Sequence, residues 1–233
     1  MQQFFIEDIN NPTLSKTQFH QVKNVLRMRK GDLVRLVDLK GEGIIAQFSD
    51  DSLRTFEMVQ SLSFPTKSYH LKVVMSLIRN ERLEWMIQKA TEIGIDEIVL
   101  YKSDHGVVRD YKDKTDRKLE RFNTIALEAS EQSYRQYPLL IQKVIDKKEL
   151  ENEMTELNVY ADLNVDTHVT DLLTTNTKIT AMIGPEGGFS DAERKYFSEV
   201  GFMPVSLGHN VLRAETAPII LGAFTSLIDK EMK

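Results

Sequence analysis

A glycine-rich turn at residues 182–193, MIGPEGGFSDAE, has the residue types of a ligand-binding loop. Gly184, Gly187 and Gly188 carry no side chains, so a ligand can approach the backbone closely. Pro185 has no N–H to donate and Glu186 would repel a phosphate, and the spacing fits neither a Gly-x-Gly-x-x-Gly loop nor a P-loop. The turn favours a ligand without phosphate that carries positive charge; a tight turn with no ligand is the alternative.

A second stretch with similar features is SLGHNVLRAETA, at residues 206–217. It places Gly208 in a loop and then Arg213, Glu215 and Thr216 at the predicted start of a helix. Both stretches follow predicted strands, and the carboxyl ends of parallel strands are where open α/β sheets bind ligands. The two loops could therefore enclose one small molecule, with Arg213 and Glu215 expected to be buried. An ordinary helix N-terminus, with Glu215 favoured by the helix dipole, is the alternative.

The elements that would position these loops form an α/β pattern. From residue 69 onward strands alternate with helices, which predicts a mostly parallel sheet covered on both faces. The predicted strands are 71–77, 96–101, 139–144, 157–161, 179–183 and 203–207, and the predicted helices are 81–94, 115–136, 190–200 and 213–230. Ser190 and Glu193 have the spacing of a capping box at the third helix.

The first 68 residues have a different pattern of hydrophobic and polar residues. Short alternating segments at 4–6, 32–38, 44–48 and 53–59, with a short helix at 15–25, predict a small β-barrel. The Pro-containing segment 64–68 is the predicted boundary, which gives a small N-terminal β-domain at 1–68 and an α/β domain at 69–233.

Composition excludes several classes of protein. The 233 residues include no cysteine, so a disulfide scaffold, a thiolate metal site and a cysteine nucleophile are excluded, and the five histidines are scattered, so no metal site is expected. The N-terminus lacks the pattern of a signal peptide, and no apolar run approaches the roughly 20 residues of a membrane span. These features predict a cytoplasmic protein without membrane contact.

A basic stretch stands out against the net charge of −5. Residues 16–40 contain seven Lys or Arg and two Asp, a density that suits a nucleic-acid backbone. A solvated basic face is the alternative.

The two glycine stretches together, IGPEGGFS..E and LG.NVLRAETA, resemble the C-terminal signature of the SPOUT superfamily of S-adenosylmethionine-dependent RNA methyltransferases. Within it the chain is most similar to the RsmE family, which methylates N3 of uracil in 16S (small-subunit) ribosomal RNA. HQVKNVLRMRKGD resembles the PUA-like barrel of that family, and RLEWMIQKATEIGI and ERFNTIALEASEQSYRQYP resemble two of its later motifs. The chain departs from the family at residues 103–106 (SDHG, usually Ser-Glu-Arg-Ser) and at Tyr134, usually Gly.

The resemblance implies a PUA-like RNA-binding β-barrel at 1–68, a SPOUT domain with a C-terminal trefoil knot at 69–233, and a homodimer with its active site near the interface. It implies S-adenosylmethionine as cofactor, bound by Ala161, Asp162, Gly184, Pro185, Glu186, Gly187, Gly188, Leu207, Gly208, Val211, Leu212 and Thr216. It also implies RNA contacts in the basic stretch, at His20, Lys23, Arg27, Arg29 and Lys30.

The implied reaction requires help from the protein, because N3 of uracil carries a proton and is a weak nucleophile when neutral. Arg213 could stabilise the anion formed on deprotonation. Glu215 and Glu186 are candidates to accept the proton or to orient the arginine, with cofactor binding and helix capping as the alternatives. Arg135, beside Gln132 on the long helix, is a third catalytic candidate, with an ion pair to a glutamate of the same helix as the alternative.

Two other functions stay open at this stage. One is a SPOUT methyltransferase that modifies a ribose 2′-hydroxyl or another base. The other is a non-catalytic RNA-binding assembly factor with a degenerate knot.

Overall fold

The structure is a computed structural model that describes residues 1–174 and 177–230, with the side chains of 229 and 230 left aside. Residues 175–176 and 231–233 of the predicted domain 69–233 lie outside the described part. The chain divides into two compact units. The first contains Met1–Thr66 and Glu128–Pro138, and the second contains Lys67–Leu127 and the described residues from Leu139 onward.

The first unit is built on a four-stranded sheet in the order β1-β2-β3-β4, in which β1 is parallel to β2 and the other pairs are antiparallel. The strands are β1 (Gln2–Ile6), β2 (Leu33–Asp38), β3 (Gly43–Phe48) and β4 (Phe56–Ser61). The predicted strand at 53–59 starts late because Leu53 has a φ of 57°, in the left-handed region. Phe4, Leu36, Ala46 and Phe48 are fully buried in its core.

Helix α1 (Lys16–His20) begins at a capping box formed by Ser15 and Gln18, and it continues into a π-helical turn at Gln21–Val25. The predicted helix at 15–25 is therefore present, but its second half is wider than an α-helix.

Residues 128–138 belong to the first unit through buried polar contacts. The carboxylate of Glu131 accepts hydrogen bonds from the backbone N–H of Phe5 and from Gln18 Nε2, each at 3.0 Å. Burial raises the pKa of Glu131. Gln3 Nε2 donates to the carbonyl of Arg135 at 2.7 Å. The predicted helix at 115–136 ends earlier, at Gln132, because Tyr134 turns the chain with a φ of 56°.

The second unit contains a six-stranded parallel sheet in the order β10-β8-β9-β5-β6-β7. Its strands are β5 (His70–Ser76), β6 (Glu97–Tyr101), β7 (Leu140–Ile145), β8 (Leu157–Ala161), β9 (Lys178–Ile183) and β10 (Met203–Val205). The predicted α/β class with a parallel sheet is confirmed. Because β9 lies between β8 and β5, the chain returns to the middle of the sheet after it has formed one edge.

Four helices accompany this sheet: α2 (Asn80–Ile93), α3 (Thr115–Gln132), α4 (Asp191–Val200) and α5 (Ala217–Lys230). Helix α2 ends at Gly94, whose φ of 96° is the left-handed cap that its position in the sequence predicts. The last helix starts four residues later than predicted, because residues 213–216 form a turn in which Thr216 N–H donates to the Arg213 carbonyl.

Hydrophobic residues cover both faces of the sheet, as expected for parallel strands. Along β5, Val73 and Met75 pack into one cluster with residues of α2, α3 and α5, whereas Val74 packs into a second cluster with Phe197 of α4. The alternation fixes which helices lie on which face.

Candidate functional site

The carboxyl ends of three neighbouring strands, β10, β8 and β9, border one cavity of about 280 Å³. Such a volume lies near the lower end of the roughly 300–1,000 Å³ typical of small-molecule sites. The lining residues come from three loops: Ala161, Asp162 and Leu163; Ile183, Gly184, Pro185, Glu186 and Gly188; and Leu207, Gly208, Asn210, Val211, Leu212, Arg213, Ala214 and Ala217. The two glycine stretches of the sequence therefore meet at one site, together with the end of β8.

A backbone hydrogen bond and a positive φ define the shape of the glycine turn after β9. Gly188 N–H donates to the Pro185 carbonyl at 2.9 Å, and Gly188 has a φ of 67° that favours glycine. A Cβ on Gly187 would lie 3.3 Å from the Cβ of His105, so the turn also passes closely over that residue. Gly184 and Gly188 line the cavity, while Gly187 faces the segment at 103–106.

The end of the glycine turn is anchored by aromatic packing. Phe189 is buried and meets Phe197 edge to face, with ring centroids 4.9 Å apart. Ser190 then caps α4: its Oγ accepts from Glu193 N–H at 3.1 Å, and Glu193 Oε2 accepts from Ser190 N–H at 2.8 Å. The capping box expected from the sequence is confirmed.

Glu193 does more than complete this cap. It is fully buried, and its Oε1 also accepts from the Tyr101 hydroxyl at 3.0 Å and from Asp104 N–H at 3.1 Å. Burial, together with the neighbouring Glu193 carboxylate, raises the pKa of Tyr101 well above its ordinary value. Asp104 in turn accepts from Ser190 Oγ at 2.6 Å. The segment at 103–106, where the chain departs from the family pattern, is thus tied to the start of α4.

Replacing Glu193 with alanine is expected to lower the free energy of unfolding by roughly 2–4 kcal/mol, because the buried Tyr101 hydroxyl and the N–H groups of Asp104 and Ser190 lose their acceptor, although Ser190 Oγ still caps the helix. Chemical denaturation would measure the change. Glu199→Ala on the same helix, an exposed glutamate, is the matched control and should change stability little. A loss below about 1 kcal/mol for Glu193→Ala would contradict this role.

Asp162, at the end of β8, supplies a fixed negative charge to the cavity wall. Arg194 Nε donates to its Oδ2 at 2.7 Å, and Asn164 N–H donates to its Oδ1 at 3.0 Å. The hydrogen bond that Arg194 donates to Asp162 raises the pKa of Arg194 above its ordinary value. Each carboxylate oxygen of Asp162 accepts one hydrogen bond within the fold, and these two bonds fix the orientation of the negative charge at the cavity wall.

Arg213 and Glu215 lie at the third loop but differ in exposure. The Arg213 side chain is 77% exposed, so the expectation that it is buried is wrong; it follows the loop out to solvent while still lining the cavity. Glu215 is buried, with Oε1 4.0 Å from Arg213 Nη1 and with Oε2 lacking a hydrogen-bond partner. A buried carboxylate oxygen without a donor is energetically costly, and Glu215 lies beside Arg213 without itself lining the cavity.

Of the predicted cofactor residues, ten line this cavity, while Gly187 and Thr216 belong to the same loops without lining it. Sequence reasoning missed Arg82, whose Nη1 lies 2.8 Å from Glu186 Oε1, and Arg194 behind Asp162. Arg82 stands in the first turn of α2, shortly after the carboxyl end of β5. This position, at the edge of the sheet where ligands bind, is the sequence signal that could have identified it as a site residue.

The predicted RNA-contacting residues lie in the first unit. His20, Lys23, Arg27, Arg29 and Lys30 are all exposed, along α1, its π turn and the loop that leads to β2. Nearby, Arg54 lies over the Phe19 ring at 4.6 Å from its centroid, and Lys23 at 5.9 Å. The surface combines positive charge with an aromatic ring.

Arg135, the third catalytic candidate, also belongs to the first unit, where its Nε donates to the Tyr137 carbonyl at 3.0 Å. It is not a lining residue of the cavity. Tyr134, where the family usually has Gly, adopts a left-handed φ of 56°. Its ring centroid lies 4.8 Å from the guanidinium carbon of Arg35.

The first unit has a larger groove of about 670 Å³, bordered by residues such as Asn10, Gly43, Phe56, Phe64 and Gln136. Volume alone does not make it the functional site. The smaller cavity combines two glycine-containing loops with the carboxyl ends of parallel strands, which together mark a ligand site.

Among residues 1–174 and 177–230, no cluster of three or more His, Asp or Glu is arranged to hold a metal ion. Across the same described residues, no helix has both the length and the apolar character needed to cross a membrane.

The fold and the cavity define a class: α/β proteins that bind a small molecule at the carboxyl ends of parallel strands. The family can then be stated, because a model described as an RNA methyltransferase domain matches residues 65–226. The chain belongs to this RNA methyltransferase family.

Relatives of known name agree with this assignment. The chain is 28% identical to the ribosomal RNA small subunit methyltransferase E of Bacillus subtilis (strain 168), over 94% of this chain and 93% of the relative. It is 30% identical to the protein of the same name from Synechocystis sp. (strain ATCC 27184 / PCC 6803 / Kazusa), over 89% of this chain and 70% of the relative. The predicted resemblance to the RsmE family is confirmed.

A solved structure is similar over nearly the whole chain. The ribosomal RNA small subunit methyltransferase E of Neisseria gonorrhoeae, bound to S-adenosylmethionine, is 25% identical, with a TM-score of 0.87 over 98% of both chains.

Proposed function

We propose that the protein is an S-adenosylmethionine-dependent methyltransferase that methylates N3 of a specific uridine in 16S ribosomal RNA. The observation that carries the proposal is the single cavity formed by both glycine stretches and the end of β8 in a chain of the RNA methyltransferase family. The names of the relatives support small-subunit ribosomal RNA as substrate. The choice of N3 rests on the resemblance to the RsmE family.

The residues present fit the proposed cofactor. A Cβ built on Gly208 would have no atom within 4 Å, although Gly208 lines the cavity, so the space beside its backbone is open to a ligand. Leu207, Val211 and Leu212 offer apolar surface for an adenine ring. Asp162 and Glu186 offer negative charge to a cationic molecule. When bound, S-adenosylmethionine supplies an electrophilic methyl group.

The proposed cofactor residues therefore remain those of the sequence prediction: Ala161, Asp162, Gly184, Pro185, Glu186, Gly187, Gly188, Leu207, Gly208, Val211, Leu212 and Thr216. Gly187 and Thr216 are proposed to shape the two loops, since they do not line the cavity.

The chain's own residues are proposed to activate the uracil. Glu215 has a buried Oε2 without a partner, which suits it to accept the N3 proton. The exposed guanidinium of Arg213 at the cavity is proposed to stabilise the negative charge that spreads onto O2 and O4. Arg135 stays a proposal as a catalytic residue or as a residue that contacts the RNA.

Several wider features are part of the same proposal. Residues 1–68 form a PUA-like RNA-binding barrel whose basic stretch contacts phosphates, and residues 69–233 form a SPOUT domain with a C-terminal trefoil knot. The protein acts as a homodimer in the cytoplasm, on RNA within the small ribosomal subunit. The exposure of His20, Lys23, Arg27, Arg29 and Lys30 supports the first of these statements.

Replacing Gly208 with alanine is expected to weaken S-adenosylmethionine binding by about tenfold or more, because the methyl group strains a φ of 130° and occupies space beside the ligand. Calorimetry would measure the affinity. Gly31→Ala is the matched control: Gly31 also has a positive φ and open space around a Cβ, but lies in the first unit. Equal affinity losses in both variants would contradict the assignment.

Two experiments test the function itself. Calorimetry with the wild-type protein should detect S-adenosylmethionine binding; a folded protein that binds none would favour a non-catalytic RNA-binding factor.

Nucleoside mass spectrometry of 16S ribosomal RNA should show loss of 3-methyluridine in cells that lack the protein. If 3-methyluridine persists while a 2′-O-methyl nucleoside or another base modification disappears, the target position is wrong.

A further inference from the structure

One arginine that does not itself line the cavity forms ion pairs with residues of two of the three loops around it. Arg82, in the first turn of α2, has its Nη1 2.8 Å from Glu186 Oε1, in the glycine turn after β9. Its Nε lies 3.9 Å from Glu215 Oε1, in the turn that follows the third loop. A single planar guanidinium thus joins two loops that are some thirty residues apart in the sequence.

The carboxylates of Glu186 and Glu215 differ in burial and therefore in how much they depend on a nearby cation. Glu186 is partly exposed, and an ion pair of that kind contributes little to folding stability. Glu215 is buried, and one of its oxygens lacks a partner, so the arginines near the other oxygen offset a costly buried charge. Because Arg213 is largely exposed, Arg82 is the better fixed of these two cations.

The geometry also explains what Glu186 does. Its carboxylate engages Arg82 at hydrogen-bond distance, so its position on the rim of the cavity is set by α2 rather than by the turn alone. The backbone of residues 184–188, which a ligand would contact, is thereby tied to a helix that packs in the core of the unit through Leu83, Met86 and Ile87.

We propose that Arg82 is a positioning residue that holds the glycine turn and the Glu215 carboxylate in the arrangement needed for cofactor binding and methyl transfer. The proposal rests on the proposed methyltransferase function. A guanidinium presents several donors in one plane and can serve two carboxylates, whereas a lysine ammonium is a single point of charge. A merely structural role would instead make Arg82 one surface ion pair among others.

The test compares Arg82→Gln with Lys89→Gln. Lys89 stands on the same helix, its side chain is as exposed as that of Arg82 (35%), and it pairs with Glu92 at 2.8 Å, away from the cavity. We expect Arg82→Gln to weaken S-adenosylmethionine binding in calorimetry about tenfold and to lower kcat at saturating substrates about tenfold or more, which Lys89→Gln should not do. Lys89→Gln should keep a Tm within about 3 °C of the wild type, whereas Arg82→Gln, which leaves the buried Glu215 with one cation fewer, should lose more and is assayed well below its own Tm.

Two further variants distinguish positioning from bulk charge. Glu186→Gln should reproduce the affinity loss of Arg82→Gln but not its full loss of kcat, and the double variant should bind no more weakly than Arg82→Gln alone. Arg82→Lys, which keeps the charge and guards against misfolding of the Gln variant, should recover part of the affinity and less of kcat.

The inference is overturned if Arg82→Gln or Arg82→Lys binds and turns over like the wild type, or if the effects of Arg82→Gln and Glu186→Gln on affinity simply add. Failure of the underlying function looks different: the wild-type protein itself would then bind no S-adenosylmethionine and transfer no methyl group.

Discussion

Arg213→Ala is expected to lower kcat for methyl transfer by roughly 10²–10³-fold, the loss typical of removing one group that stabilises a developing oxyanion. The side chain lines the cavity but is 77% exposed, which leaves its guanidinium available to the RNA rather than engaged within the fold. The affinity for S-adenosylmethionine should change by less than about threefold, because the loss falls on the transition state. Single-turnover kinetics and calorimetry would measure the two quantities.

Arg117→Ala is the matched control, since Arg117 is an exposed arginine on α3 outside the cavity, and it should leave kcat and cofactor affinity unchanged. Equal losses of cofactor affinity and turnover in Arg213→Ala would show instead that Arg213 binds the cofactor.

Glu215→Gln is expected to lower kcat by roughly 10²–10⁴-fold at neutral pH, the usual contribution of a positioned general base. Glutamine has the same shape and cannot take the N3 proton, so the fold and the cofactor affinity should persist. Activity of the variant should rise as the pH is raised, because the uracil imide then ionises without the enzyme's help. Rate measurements over a range of pH would test this.

Arg213→Ala serves as the comparison for the pH behaviour of Glu215→Gln, since that variant retains the proposed base and should not be rescued by alkaline pH in the same way. A Glu215→Gln variant with wild-type turnover, or one whose low activity is independent of pH, would remove Glu215 from the role of proton acceptor.

The parts of the site that follow from local sequence were predictable. Ser190 and Glu193 stand at capping-box spacing and form that box, and the two glycine stretches follow strands whose carboxyl ends meet at one edge. The ends of elements were harder, because a single backbone conformation decides them. Tyr134 ends α3 with a positive φ that its side chain gives no reason to expect.

Contacts between distant segments could not be predicted from local patterns. The pairing of Arg82 with Glu186 depends on the order of strands β5 and β9 in the sheet, and the sequence alone does not state that order. The same holds for Glu131, whose buried hydrogen bonds to Phe5 and Gln18 place residues 128–138 in the first unit. Tertiary placement also left Arg213 exposed, although its position at the end of a loop expected to enclose a ligand suggested burial.

The central proposal, methylation of uracil N3 in small-subunit ribosomal RNA, is tested most directly by a reconstituted reaction. Purified protein would be incubated with S-adenosylmethionine and with small ribosomal subunits from cells that lack it, and the 16S ribosomal RNA would be digested to nucleosides for mass spectrometry. We expect 3-methyluridine to form at a single position, and to form roughly 10²–10³-fold more slowly with the Arg213→Ala variant. Formation of a 2′-O-methyl nucleoside or another methylated base, or no product from a protein that binds S-adenosylmethionine, would contradict it.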